Sequence, residues 1–258
     1  MTSHNFLTIR RPQSVGAAVL MRLLALAGAL LVVGCATGPN ANPRDPLEPM
    51  NRKVAQFNEV ADAIVLKPIA IGYREIAPAI VRTGVSNFYG NLRDLGSAAN
   101  SLLQLKFRNG FDNLIRFQIN TFIGMGGLLD VASELQVERH SEDLGQTLGH
   151  WGVPSGPYLV LPLLGSSTVR DALAFTADRK FDLVGYIPST GVRQSFHGLR
   201  LVDARTNLLR ASSVLDEAAL DKYSFARDAH LQKRRSEIFD GDPPEEAPEK
   251  PAPPVRAQ

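Results

Sequence analysis

The chain has 258 residues, with 28 Lys and Arg against 26 Asp and Glu, 44% hydrophobic residues and a single cysteine. That is enough to bury one substantial core or two small ones. A formal charge of +2 gives no ground for nucleic-acid binding, one cysteine excludes an intrachain disulfide framework and a multi-cysteine zinc site, and ordinary apolar content excludes collagen-like and wholly disordered chains.

Residues 1–34 contain Arg10, Arg11 and Arg22 and no acid, and they close on the apolar run Leu23 to Val33. A basic segment, a short apolar segment and small residues at the break read as a secretory signal, not a membrane span. The only cysteine, Cys35, follows Val32-Val33-Gly34, as in the lipobox of bacterial lipoproteins. There the thiol takes a diacylglycerol and the new amino terminus is acylated, so Cys35 is the expected lipidation site. Each buried acyl methylene contributes roughly 0.8 kcal/mol, and several chains together give stable anchoring. Ala36, where lipoproteins kept at the inner membrane carry Asp, points to the outer membrane of a Gram-negative bacterium, with the domain on the periplasmic side. Met21 is an alternative start. Three of the bases and none of the acids fall in 1–34, so the remaining 224 residues carry a formal charge of −1.

Residues 35–44 are a lipidated tether rich in Gly, Pro and Asn, and 240–258, with six Pro, five acids and two bases in 19 residues, read as a disordered tail. One helical domain is expected between them, over 45–239. Asp45 with Glu48 can form a capping box and Pro46 suits a first helical position, with Pro49 able to shift the start. Val54, Phe57, Ala61 and Ile64 then step by three and four, as do Leu92, Leu95, Ala99, Leu102 and Leu103. In the next helix Phe111, Leu114, Ile115, Ile119, Phe122 and Ile123 form an apolar stripe, with Asn113, Arg116 and Asn120 on another face. Gly124, Gly126 and Gly127 follow as a bend or a close backbone approach. Tyr158 to Leu164 is the best strand candidate, though Pro162 interrupts it. A last helix is expected from about Ser213, as its cap, to Phe239.

No segment past residue 35 has 18 uninterrupted apolar residues, so none is expected to span a bilayer. Residues 98–135 are nevertheless unusually apolar, with polar groups confined to a stripe, as in helices that lie in a membrane interface or line a cavity. Catalytic signatures are missing: there is no Gly-x-Ser-x-Gly, no His-Glu-x-x-His and no phosphate loop ending in Gly-Lys-Ser/Thr. His140 and His150 lack metal-ligand spacing and read as structural. Neither an enzyme nor a cofactor or metal site is expected.

Several local signatures remain. Asp45-Pro46-Leu47-Glu48-Pro49-Met50-Asn51-Arg52 opens the domain, and Ser86-Asn87-Phe88 follows on the second helix. After Arg116 to Asn120 come the glycines and Asp130-Val131-Ala132. Then Glu142-Asp143-Leu144-Gly145 leads through Gly149-His150-Trp151-Gly152 and Gly156-Pro157-Tyr158 to Gly165 and Arg170-Asp171. In this order, behind a lipobox, the segments resemble the MlaA (VacJ) family of outer-membrane lipoproteins across about residues 45–239. Asp221-Lys222-Tyr223 with Arg227-Asp228 resembles a further family segment, with Lys222 in place of Pro; Leu144 stands for Phe and Ser166 for Pro.

The resemblance implies an all-α fold, a single ring-like domain of amphipathic helices lying in the inner leaflet of the outer membrane. It implies a trimeric porin as neighbour and a channel through which phospholipids mislocalised in the outer leaflet descend. A periplasmic carrier, MlaC, would take them to the inner-membrane MlaFEDB transporter, so that lipid asymmetry is maintained. Channel or hinge candidates are then Asn113, Arg116, Ile119, Asn120, Phe122, Ile123, Gly124, Gly126 and Gly127, with Asn113, Arg116 and Asn120 facing a headgroup. The alternative is a structural, porin-associated lipoprotein scaffold without a conduit.

Overall fold

The computed structural model describes residue 42, residues 44–218 and residues 220–245; for 215–218 only the backbone is described. The signal, Cys35 and the distal tail lie outside the described residues. The first helix, α1 (Glu48–Ala61), opens without the expected capping box: its cap is Leu47, with no side-chain bond, and Pro49 sits in its first turn. The Asp45 carboxylate is instead buried against Asn51, Tyr223 and Arg227, while Glu48 pairs with Arg52. A wide turn of five residues, Asp62–Leu66, links α1 to α2 (Lys67–Ile76), the Lys67 N–H reaching back to Asp62 O. Pro68, which has no N–H to give, explains the interrupted ladder there. Ala77 is extended, as a residue before proline must be, and Pro78 starts α3 (Ala79–Leu103).

A three-residue connection with Leu105 at φ 62° folds α3 onto α4 (Phe107–Phe122). A Cβ on Gly110 would stand 2.8 Å from Leu102 Cδ2, so glycine sets how closely the two helices approach. The short α5 (Val131–Glu134) and α6 (Leu144–His150) follow, capped by Asp130 and Asp143. The expected strand stops at Leu161. Tyr158–Leu161 (β1) pairs antiparallel with Gly165–Thr168 (β2), Tyr158 opposite Thr168 and Leu161 opposite Gly165. Pro162 ends β1 by turning the chain, with Leu163 at φ 63° and Gly165 at φ 84°. The edge of β1 is clipped by α1. Asn51 donates to Tyr158 O and accepts from Val160 N–H, and Asn58, two turns on, does the same with Leu161 O and Leu163 N–H.

Helix α7 (Val169–Phe181), a 3-10 turn at Leu183–Tyr186 and the 29-residue α8 (Thr190–Ala218) lead to α9 (Lys222–Ile238). This last helix starts later than the expected cap at Ser213. Ser213 lies inside α8, where its hydroxyl donates to Arg210 O, and the cap is Asp221, accepting from the N–H groups of Tyr223 and Ser224. The first tail residues are also engaged. Asp240 pairs with Lys106 at 2.6 Å, Gly241 N–H donates to Ser236 O, and Arg235 donates to Pro244 O. The fold is thus mostly helical, with one small hairpin. No described helix is long and apolar enough to cross a membrane.

Candidate functional site

The polarity of this fold is inverted. Among the described residues, twenty polar or charged side chains are buried, against nine apolar ones, four of them alanine. Large apolar residues line the outside instead: Phe57, Ile64, Ile76, Ile80, Phe107, Phe111, Phe122 and Ile123 are all exposed. On α3 the buried face is Asn91, Asp94, Ser97, Ala98 and Ser101. Exposed apolar surface on this scale marks a contact with lipid or protein, and buried polar groups persist only where they are hydrogen-bonded.

Helix α4 carries the inversion furthest. Its polar stripe, expected to offer itself to a headgroup, points into the fold and is occupied by protein. Arg116 is 1% exposed; it grips both oxygens of Asp130 at 2.7 and 2.9 Å, donates to Ser133 Oγ at 3.1 Å and reaches Val137 O. Its Nε lies 3.5 Å from Asp94, which Arg139 holds at 2.8 and 3.0 Å. Asn120 donates to Asp130 and accepts from Ala132 N–H, and Asn113 exchanges two bonds with the backbone of His140. Burial alone would raise the Asp130 carboxyl; bonds from Ser133 and Asn120 and the two arginine charges outweigh it and hold it below the usual range. In Asp94 burial prevails over Arg139 and Arg116, and the carboxyl is pushed up. The opposite face exposes Phe111, Ile115, Phe122 and Ile123.

The glycines after α4 form a bonded turn. Gly126 N–H donates to Thr121 O at 2.9 Å and Gly127 N–H to Asn120 O at 2.7 Å. A Cβ on Gly124 would collide with Asn120 O and Leu129 O, and one on Gly127 would come within 2.7 Å of Asn91 Nδ2. Gly126, at φ 74°, faces open space. Close packing therefore accounts for two of the three, and a left-handed backbone for Gly126 and Gly127. Asn87 fastens the far end by donating to Leu128 O, and Phe88 packs against Phe196.

The other signature segments converge on two more ion-pair clusters, partly exposed at Arg52, Asp221 and Asp143. Arg52 pairs with Glu48 and Asp221 and lies 4.4 Å above the Tyr223 ring, which donates to Asp45. Near α6, Arg234 binds Asp143 at 2.7 Å and Asp171 at 3.0 Å, and Arg170 pairs with Asp171 and donates to Val153 O. Burial would raise Asp171, but the Arg234 and Arg170 charges leave it lowered. A Cβ on Gly145 would meet Arg234 Nη2 at 2.5 Å, and one on Gly149 would meet Arg170 Nη1 at 2.8 Å. The glycine spacing of this motif is thus the footprint of two arginines. Gly149, Gly152, Gly156, Pro157 and Arg170 border an open cleft of about 1240 Å³ against α9. Trp151 stays exposed and donates to Leu103 O. Sequence reasoning does not single out Arg139; only the buried carboxylate it serves reveals it. Among the described residues no His, Cys, Asp and Glu group could hold a metal ion.

Together these features define a helical protein with an ionic and amide interior and an apolar exterior. The chain belongs to the MlaA lipoprotein family, whose model matches residues 43–237. It is 38% identical over 224 residues to the intermembrane phospholipid transport system lipoprotein MlaA of Shigella flexneri, covering 83% of this chain and 87% of that protein, and equally to that of Escherichia coli (strain K12). The protein of that name from Haemophilus influenzae is 31% identical over 229 residues. A structure solved in work on the "Structural basis for maintenance of bacterial outer membrane lipid asymmetry" matches with a TM-score of 0.67 and 34% identity, over 77% of this chain and 99% of that one.

Proposed function

We propose that this chain is the lipid-anchored outer-membrane component of a phospholipid transport system. In this reading it removes mislocalised phospholipids from the outer leaflet and passes them to a periplasmic carrier of the MlaC kind. The observation that carries the reading is the inverted polarity. An exterior of exposed Phe, Ile and Leu suits a helical domain sunk in a leaflet, where acyl chains solvate what water would not. The names of its relatives, and membership in their family, supply the substrate class.

In the same reading the helices form a ring seated in the inner leaflet beside a porin, with Cys35 as its tether to that leaflet. Moving a lipid between leaflets breaks no covalent bond. What it demands is an apolar wall for acyl chains and polar groups at a mouth for a phosphate. The exposed apolar faces of α1 to α4 are the surfaces that meet acyl chains in this reading. Because Asn113, Arg116 and Asn120 are consumed inside the fold, they act as the frame that keeps α4 and the glycine turn in position, and the headgroup is met elsewhere.

The test is the amount of phospholipid in the outer leaflet, read with an amine-reactive reagent that does not enter the cell. Cells lacking the protein should expose more phosphatidylethanolamine, and restoring the gene should remove it. Equal labelling with and without the protein would overturn the reading.

A further inference from the structure

The end of α7, the turn after it and the start of α8 form a corner to which the transport reading assigns no task. Phe181 is 76% and Tyr186 70% exposed, and Phe175, Leu183 and Val192 extend the apolar surface around them. Tyr186 Oη donates to Lys180 O at 2.7 Å, which pins its ring at the end of α7. The guanidinium of Arg179 sits 5.6 Å from the centroid of the Phe175 ring, and Arg179 and Lys180 are both exposed. Arg193 closes the corner by donating to Ile187 O at 2.9 Å and Thr190 Oγ1 at 3.3 Å.

The acids of this segment are held by partners within the fold. Asp178 accepts from Leu144 N–H at 3.1 Å. Asp182 is gripped by Arg200 at 2.6 and 3.0 Å and caps the turn through Val184 N–H. The charge presented outward beside the rings is therefore positive. Aromatic rings next to lysine and arginine are the composition of surfaces that sit at the boundary between acyl chains and headgroups. Two neighbouring aromatic residues this exposed mark a contact surface, and the basic pair complements phosphate.

We propose that this corner is a second lipid contact, with Phe181 and Tyr186 at the headgroup–acyl boundary and Arg179 and Lys180 on anionic phosphates. The proposal rests on the membrane reading above and names where a leaflet boundary crosses the molecule. It predicts a surface contact that holds the domain's tilt, separate from any path a transported lipid takes.

The experiment uses the full-length acylated protein in vesicles. Cys35 is the only cysteine, and the diacylglycerol on its sulfur caps the thiol, so one introduced cysteine takes a spin label cleanly. Phe181→Cys and Tyr186→Cys report on the corner, Phe122→Cys on general embedding, and Lys233→Cys on water. The expected result is that labels at 181 and 186 collide with oxygen and are shielded from an aqueous nickel complex, unlike the label at 233. In vesicles containing anionic lipid, Arg179→Gln with Lys180→Gln should weaken the contact roughly 30-fold and raise nickel access, with no change in zwitterionic vesicles. Nickel access at 181 and 186 equal to that at 233, with 122 shielded, would overturn the corner and leave the membrane reading standing. Access at all of them would overturn both. Shielding that appears only when another protein is added would mark the corner as a protein interface and overturn the proposal. Shielding that ignores lipid charge would overturn the role given to Arg179 and Lys180.

Discussion

Arg116→Met separates a framing role for the α4 polar stripe from a lumen-facing one. Methionine keeps the aliphatic reach of arginine and deletes the charge. The change strips Asp130 of its bidentate partner, leaving Ser133, Asn120 and a looser contact to Arg139 at 3.7 Å. Asp94 keeps Arg139. Removing one member of a buried ion pair costs about 3–5 kcal/mol, and the surviving partners put this case near the lower end. For a domain of this size that corresponds to roughly 6–12 °C in the unfolding midpoint. Thermal unfolding of the purified protein in detergent, followed by circular dichroism, reads it directly.

The double variant Arg116→Met with Asp130→Asn sharpens the test. The introduced amide can still cap α5 but no longer leaves an unpaired charge, so part of the loss should return, with a coupling of about 1–3 kcal/mol. Were Arg116 instead a headgroup contact on a lumen, the single variant would unfold within about 0.5 kcal/mol of the wild type, as surface changes do, and lose lipid removal at normal abundance. That pair of results would refute the frame.

Cys35→Ala should leave the precursor uncleaved by the lipoprotein peptidase and without lipid label; mature, acylated protein in the outer membrane would contradict it. Gly127→Ala drives a methyl against Asn91 at a positive φ and should cost about 1–3 kcal/mol, whereas Gly126→Ala, in open space, should cost about 1 kcal/mol. Gly126→Trp should accordingly accumulate and reach the outer membrane, and unfolding of that variant would show that the space is filled. Asp171 has a folded pKa below its ordinary 3.8, so its stabilising share is complete above that value and lost as pH falls through the folded pKa. Asp171→Asn should therefore be less stable than wild type at neutral pH, by a margin that shrinks below about pH 4 in denaturation midpoints; a margin independent of pH would exclude the charge as its source.

Three helices were legible in the sequence; which of their faces turns inward was not. Spacing of three and four located α1, α3 and α4, because periodicity depends on the helix alone. The same spacing does not say whether the solvent is water or lipid. On α4 a reader who assumes water buries Phe111 and Phe122 and exposes Arg116, and the fold does the reverse. The clue was available in the polar residues: Asn113, Arg116 and Asn120 fall on one face, as do Asn51 and Asn58, seven apart. Amides and a single guanidinium make a poor solvated stripe but good cross-links. The false start at Ser213 has a similar cause. A mid-helix serine can satisfy its hydroxyl on the preceding turn, so only a downstream cap as strong as Asp221 distinguishes a break from a continuous helix. Gly145 and Gly149 could not be explained from sequence, since the arginines that exclude their Cβ atoms, Arg234 and Arg170, lie on other helices far along the chain.

Inverted polarity also dictates what must hold the helices together. Where lipid tails surround a domain, burying a leucine between two helices gains little over leaving it outside, so the hydrophobic effect no longer selects one packing from another. Directional bonds and close backbone contacts must do so. The fold supplies both: arginine–carboxylate pairs buried at Arg116 and Arg170 and part-buried at Arg234, asparagines that grip backbone at β1 and at His140, and glycines where α3 meets α4 and where α6 meets α7 and α9. Each asparagine bridge ties residues far apart in sequence, Asn51 to Tyr158 and Asn113 to His140. A slip of one helix by a residue would break several such bonds at once, whatever surrounds the apolar exterior. In the proposed membrane setting, the signature residues of this chain specify a fold that lipid would not, and a substitution among them should register in stability before it registers in substrate preference.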